Sequence, residues 1–197
     1  QWGSHWPAVS LDAVVCFAAF GAILLACELG FRKALWASLL PGAFGLAAAS
    51  QELLGLNLGL DSLVPSFACL PARMPPLLAL CFLAVSLILA ALAWGKARSS
   101  SIIALAVGGS LLIAGGGSTL LGPLLDFPPT FRWSGESSLS PTSAALLLLL
   151  GATLLNLAWR ENRDGTPGAP AWLPVPVVIA SATFTFMFWS GLREREA

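Results

Sequence analysis

The sequence predicts an all-α integral membrane protein with six transmembrane helices. Of its 197 residues, 57% are hydrophobic and only 10% are charged, whereas soluble domains average about 25% charged residues. Six apolar runs each approach the ~20 residues that a helix needs to cross the hydrocarbon core of a bilayer. They cover residues 11–30, 34–56, 76–94, 102–122, 142–159 and 172–192. We therefore expect residues 1–197 to form a single transmembrane domain.

Charged residues and prolines separate these runs. The charged groups at 32–33, 96–98 and 160–164 are too costly to bury among lipid tails. Prolines interrupt the chain in two further places, where each is expected to stop one helix and start the next. They are Pro65, Pro71, Pro75 and Pro76, and then Pro123, Pro128, Pro129 and Pro141.

The distribution of basic residues predicts an orientation. One set of loops, at 32–33, 96–98 and 160–163, holds six basic residues, and the other set holds only Arg73 and Arg132. Because basic loops stay in the cytoplasm, both termini are expected outside. Tryptophans at the helix ends agree with an interfacial aromatic belt. Trp36, Trp94, Trp159 and Trp172 fall on the predicted inner side, and Trp2, Trp6, Trp133 and Trp189 on the outer side.

The chain also contains an internal repeat, at about residues 45–95 and 103–160. Each copy has a Leu-Leu-Gly sequence, then a loop with one aspartate, then a proline and an alanine that open the next helix. These residues are Gly55, Asp61, Pro76 and Ala79 in the first copy and Gly122, Asp126, Pro141 and Ala144 in the second. The glycines are 67 positions apart and the prolines 65. We expect two similar helix–outer loop–helix hairpins, with Gly55 and Gly122 at matching positions near the outer surface.

Polar residues near the outer surface are the candidate site. Glu52 lies with Ser50 and Gln51 in the outer part of the second helix. An ionisable group at that depth either marks a functional site or is a helix-end carboxylate that reaches the headgroups. The outer loops add Asp61, Arg73, Asp126, Arg132, Trp133 and Glu136. They either bind an extracytoplasmic ligand or form solvated loops with local salt bridges, and Arg73 and Arg132 are candidate partners for Glu52.

Neither enzymatic chemistry nor a cofactor is expected. The only histidine, His5, precedes the first helix, so no helix offers an axial histidine for haem or chlorophyll. The chain has no HExxH or GxSxG motif and no carboxylate-rich metal site. Residues 115–117 are three glycines without a following Lys-Ser/Thr, which favours close helix packing or a local helix break over a phosphate loop. Ten basic and ten acidic residues without a basic tract give no reason to expect nucleic acid as a partner.

Two segments resemble the multi-helix membrane region at the N-terminus of many bacterial sensor histidine kinases and diguanylate cyclases. In that region a helix end of the form G-x-x-L-G-I-D-x-L precedes R-M-S-P-N-T-A-L-x-F-L-L. The first copy here runs from Leu53 to Leu63 and continues at 71–76 and 79–83, and the second is Ser140-Pro141-Thr142-Ser143-Ala144. In the first copy Leu77-Leu78 replaces the Asn-Thr pair. Trp172-Leu173-Pro174 and the end at 189–196 are also similar to that region.

The resemblance implies a sensory or anchoring module in the bacterial inner membrane, whose output domain lies outside this chain. The alternative is a non-catalytic accessory subunit of a larger membrane complex, respiratory or photosynthetic. The lost Asn-Thr pair and the lack of an output domain in these residues keep this alternative open beside the sensory module. In both hypotheses the partners are the lipid bilayer and other membrane subunits or a second copy of the chain.

Overall fold

The computed structural model describes residues 9–55, 74–95, 98–124, 139–162 and 172–196. Within these ranges the regular structure is entirely helical, which confirms the predicted all-α class. The helices are α1 (Leu11–Glu28), a 3₁₀ helix (Arg32–Ser38), α2 (Leu39–Leu54), α3 (Pro76–Trp94), α4 (Arg98–Leu124), α5 (Pro141–Asn162) and α6 (Pro174–Glu196).

Four of these helices, α1, α3, α4 and α5, are long and apolar enough to cross a membrane. The α-helical part of the second predicted span, α2, has only 16 residues because residues 32–38 before it form the 3₁₀ helix. At 1.5 Å per residue, α2 is about 24 Å long, short of the ~30 Å hydrocarbon core. In α6 (Pro174–Glu196), the apolar stretch among the residues whose side chains are described covers Pro174–Thr183. Length and composition therefore support four crossings, and six remain a prediction.

Proline and glycine mark several helix boundaries, as the sequence predicts. The helices α3, α5 and α6 each begin at a proline, whose missing N–H has no intrahelical acceptor at that position. Gly55 ends α2 in the left-handed conformation, with φ 64°. Gly122, its expected counterpart, instead lies inside α4, which continues through Pro123 to Leu124. Pro123 thus does not stop the helix before it, and Gly55 and Gly122 do not share a helix position.

The contacts divide the chain into two compact units, Gln1–Lys96 and Ala97–Ala197. In the first unit α2 and α3 form a hairpin, and α1 packs beside it through Phe17 and Phe20. Their ring centroids lie 4.8 and 5.6 Å from that of Phe82 on α3. In the second unit α4 and α5 form a hairpin, and α6 packs on α4. The described part of each unit is therefore a helical hairpin with one more α-helix packed against it.

Each hairpin is closed by a glycine that faces the backbone of the neighbouring helix. A Cβ atom built on Gly45 of α2 would lie 2.7 Å from the carbonyl oxygen of Ala79. One built on Gly116 of α4 would lie 2.6 Å from the carbonyl oxygen of Ala144. These distances leave no room for a side chain, so the helices approach as closely as two backbones can.

We predict that Gly45→Leu and Gly116→Leu each destabilise the protein, because the new side chain must force two packed backbones apart. Overpacking of this kind costs about 1–3 kcal/mol or more. The free energy of unfolding in mixed detergent micelles measures the effect. Gly21→Leu is the control, since nothing lies within 4 Å of a Cβ atom at Gly21. An equal loss at Gly21 would contradict the packing argument.

Candidate functional site

Glu52 and Gln51 lie in the last turn of α2, at its C-terminal end. Glu52 is exposed, whereas the Gln51 amide nitrogen is buried without a hydrogen-bond partner among the described residues. The Ser50 hydroxyl donates to the Ala47 carbonyl at 2.8 Å and is thus occupied within its own helix. The predicted polar cluster therefore reduces to Gln51 and Glu52.

The position of Glu52 is electrostatically unfavourable for the helix itself. The carbonyl groups at a helix C-terminus carry partial negative charge, and a carboxylate there is repelled by them. Since α2 ends at Leu54, the carboxylate of Glu52 lies within that last turn. Gln51 beside it has donor capacity that the described residues leave unused. Local helix stability thus gives no reason for either residue.

The remaining candidate residues of the outer loops lie outside the described residues. They are Asp61, Arg73, Asp126, Arg132, Trp133 and Glu136. Of the predicted site, the structure thus positions only Gln51 and Glu52. Within the described ranges, no group of three or more histidine, cysteine and acidic residues is placed to hold a metal ion.

Among the described residues, two serines that sequence reasoning missed make a polar contact between helices. Ser38 ends the 3₁₀ helix and Ser86 lies in the middle of α3, and both are buried. The Ser86 hydroxyl donates to the Ser38 carbonyl oxygen at 2.6 Å. The Ser38 hydroxyl donates to the Leu35 carbonyl at 2.6 Å and approaches the Ser86 carbonyl at 3.4 Å. These reciprocal contacts join the two helices in an apolar setting, where an unpaired polar group is costly.

Small residues at the same interface let the serines meet. A Cβ atom built on Gly42 would collide with the Cβ and Oγ atoms of Ser86. Gly42 therefore supplies the space in which the Ser86 side chain sits, one turn beyond Ser38. The sequence does contain a pattern that could have revealed this contact. Ser38 and Gly45 are seven residues apart, as are Ala79 and Ser86, and this spacing places each pair on one helix face.

In the second unit two glycines occupy the corresponding contact. A Cβ atom built on Gly109 would lie 2.8 Å from the Gly151 carbonyl oxygen, and one built on Gly151 would lie 2.6 Å from that of Gly109. Ile113 covers Gly151 from the next turn, with its Cγ1 atom 2.8 Å from the same built Cβ atom. Within the three-glycine run at 115–117, α4 is unbroken and only Gly116 meets neighbouring backbone. Of the two predicted alternatives, close packing is therefore the correct one for Gly116.

Tryptophans pair at one end of each hairpin. The ring centroids of Trp36 and Trp94 lie 6.1 Å apart, and those of Trp159 and Trp172 lie 6.3 Å apart. All four were predicted on the inner side, and the exposed Arg32, Lys33 and Arg160 lie near them in the sequence. This combination of aromatic rings and cations suits the headgroup region of a bilayer.

The residues that carry the family resemblance in the second copy have structural roles here. Ser140 caps α5, since its hydroxyl oxygen accepts from the Ser143 N–H at 3.1 Å. Pro141 is the first residue of α5, and the carbonyl of Ala144 faces Gly116. Helix initiation and packing therefore explain these residues without a ligand.

Comparison with protein-family models, curated proteins and solved structures found no match to this chain.

We predict that Ser86→Ala weakens the first hairpin, because it removes the hydroxyl that bonds to Ser38. Hydrogen bonds between membrane helices are worth about 0.6–1.7 kcal/mol, and we expect a loss in that range in the free energy of unfolding. Ser110→Ala is the matched control, since the buried Ser110 hydroxyl donates only within its own helix, to Ala106. Equal losses for the two variants would show that the contact between Ser38 and Ser86 adds nothing.

Proposed function

We propose that this chain is a membrane-embedded sensory or anchoring module of a bacterial signalling protein, with its output domain outside the chain. The observation that carries the proposal is the pair Gln51 and Glu52. A carboxylate in the last turn of a membrane helix, beside an amide whose donor capacity the described residues leave unused, is poorly explained by packing. The resemblance to the membrane regions of sensor kinases and diguanylate cyclases points to the same role.

In this proposal Glu52 couples α2 to the outer loops. Arg73 and Arg132 are its candidate partners, as the only arginines of those loops. Pairing with one of them would tie the helix end to a ligand-facing loop and could change between signalling states. The candidate residues Asp61, Asp126, Trp133 and Glu136 would contribute to the ligand-binding surface.

The alternative is a non-catalytic accessory subunit of a larger membrane complex. It is favoured by the motif residues Ser140, Pro141 and Ala144, whose roles in helix initiation and packing need no ligand. In that case Glu52 would only hold its hairpin together, and the protein would act by packing against other subunits.

We further propose six membrane crossings in the bacterial inner membrane, with both termini outside and a repeated hairpin at the centre. The paired tryptophans support a common inner interface at the ends that carry Arg32, Lys33 and Arg160. At the other end of α6, the guanidinium carbon of Arg193 lies 5.4 Å from the Trp189 ring centroid. An exposed tryptophan with a cation above it suits the outer interface.

This topology predicts the labelling of cysteines introduced into a variant without native cysteines. A membrane-impermeant maleimide added from outside should react at Arg132→Cys and not at Arg98→Cys, because the latter belongs to a cytoplasmic loop. Reaction after membrane disruption confirms that Arg98→Cys is reactive. Labelling at position 98 but not at position 132 in intact cells would overturn the orientation.

The sensory role predicts that Glu52→Gln in the full-length protein abolishes or fixes the signalling output while insertion and folding persist. Output of the kinase or cyclase in cells is measured together with the amount of folded protein in the membrane. Glu28→Gln is the matched control, an exposed carboxylate at the end of α1 on the opposite predicted side. Normal signalling and normal assembly for Glu52→Gln would leave Glu52 as a simple helix-end carboxylate. Failed assembly alone would favour the accessory subunit.

A further inference from the structure

The second helices of the two hairpins carry the same pattern 65 residues apart. The helix α3 begins at Pro76 and α5 at Pro141, and each has a tryptophan 18 residues later, Trp94 and Trp159. Of the eight buried residues of α3, seven have a buried counterpart in α5 at this spacing. The seven pairs are Leu78/Ser143, Ala79/Ala144, Phe82/Leu147, Val85/Leu150, Ser86/Gly151, Leu89/Leu154 and Leu92/Leu157.

The contacts made by Ser86 and Gly151 then fix the register of the first helices. Ser86 meets the backbone of Ser38, and Gly151 meets the backbone of Gly109. Ser38 and Gly109 therefore occupy equivalent positions, and they are 71 residues apart.

A second pair of contacts gives the same spacing of 71. Gly45 and Gly116 face Ala79 and Ala144, which are equivalent at the spacing of 65.

We infer that the two hairpins are copies of one helical hairpin, in register at 71 residues in the first helix and 65 in the second. This inference rests on the repeat in the proposed architecture, though not on the signalling role. It corrects the spacing of 67 given by Gly55 and Gly122 by four residues, about one helical turn. The 3₁₀ helix and α2 then correspond to 103–125, nearly all of α4, so residues 32–54 together form one membrane crossing.

At one position of this register, the glycine and the larger side chain that faces it are exchanged between the two helices of the hairpin. Ile113 is the counterpart of Gly42, as Gly151 is of Ser86. In the first hairpin the glycine is on the first helix and the side chain of Ser86 fills the space. In the second hairpin the glycine is on the second helix and Ile113 fills it. In each hairpin a glycine thus makes room for the larger side chain that it faces.

Exchange of the residues at this position tests the inference. Gly42→Ile should reduce the ratio of folded to unfolded protein about tenfold or more, because it overpacks against Ser86. Adding Ser86→Gly gives the first hairpin the same two residue types as Ile113 and Gly151 in the second. This double variant should recover most of the lost ratio of folded to unfolded protein. The reciprocal exchange, Gly151→Ser with Ile113→Gly, should behave in the same way in the second hairpin. All variants are made in the whole chain and unfolded in mixed micelles.

The control for the exchange is Gly45→Ile with Ser86→Gly. Gly45 faces Ala79 and Phe82 rather than Ser86, so Ser86→Gly should give no rescue. If the loss in free energy of unfolding for each double variant equals the sum of the losses for its two single variants, the inference is overturned. Signalling is not measured here, so the proposed function can fail while this inference stands, and the reverse.

Cross-linking gives a second measurement, in the first hairpin, where neither position is a glycine. In a variant without native cysteines, Ser38→Cys with Ser86→Cys should form a disulfide under mild oxidation, because the two serines are in contact. Leu39→Cys with Ser86→Cys is the matched control, since Leu39 is the next residue and is exposed. Faster cross-linking from position 39 than from position 38 would overturn the register of the first hairpin.

Discussion

The structure depends on the close approach of two helical backbones within each hairpin. Lipid tails are as apolar as leucine, so no hydrophobic force drives helices together in a bilayer, and packing must be tight to be stabilising. Gly45 against Ala79 and Gly116 against Ala144 provide that tightness. The next contact lies seven residues away on each helix, which is two turns and therefore the same face. A bulky residue at any of these positions would separate the helices along their length.

The two hairpins satisfy this constraint with different chemistry. The first combines close packing with a hydroxyl-to-carbonyl hydrogen bond between Ser86 and Ser38. The second has Gly109 and Gly151 at the equivalent contact and relies on van der Waals packing alone. Because a buried hydroxyl needs an acceptor, Ser86 also specifies how α3 rotates and slides against its partner. A hydrogen bond thus fixes the geometry of the first hairpin, and the shape of Ile113 over Gly151 fixes that of the second.

The sequence predicted the positions of the six α-helices in the described ranges within a few residues, because lipid-compatible length and proline at helix starts are strong local signals. It did not predict Ser38 and Ser86, whose importance depends on facing each other across 48 residues of chain. It also placed the first helices one turn out of register. Helix faces recur about every 3.6 residues, so spacings of 67 and 71 bring nearly the same face to the partner. The contacts of Ser86 and Gly151, together with those of Gly45 and Gly116, distinguish the two spacings.

For the candidate site, the sequence contributed more than the structure did. Glu52 was selected because an ionisable group is expensive in a membrane, an argument that needs only the sequence. The structure adds that it lies in the last turn of α2, where the helix disfavours a negative charge. Gln51 beside it has donor capacity that the described residues leave unused. Packing explains most of the described interior, so function is sought at residues that packing does not explain. Glu52 is such a residue. Ser140, Pro141 and Ala144 are not, because helix initiation and packing account for them.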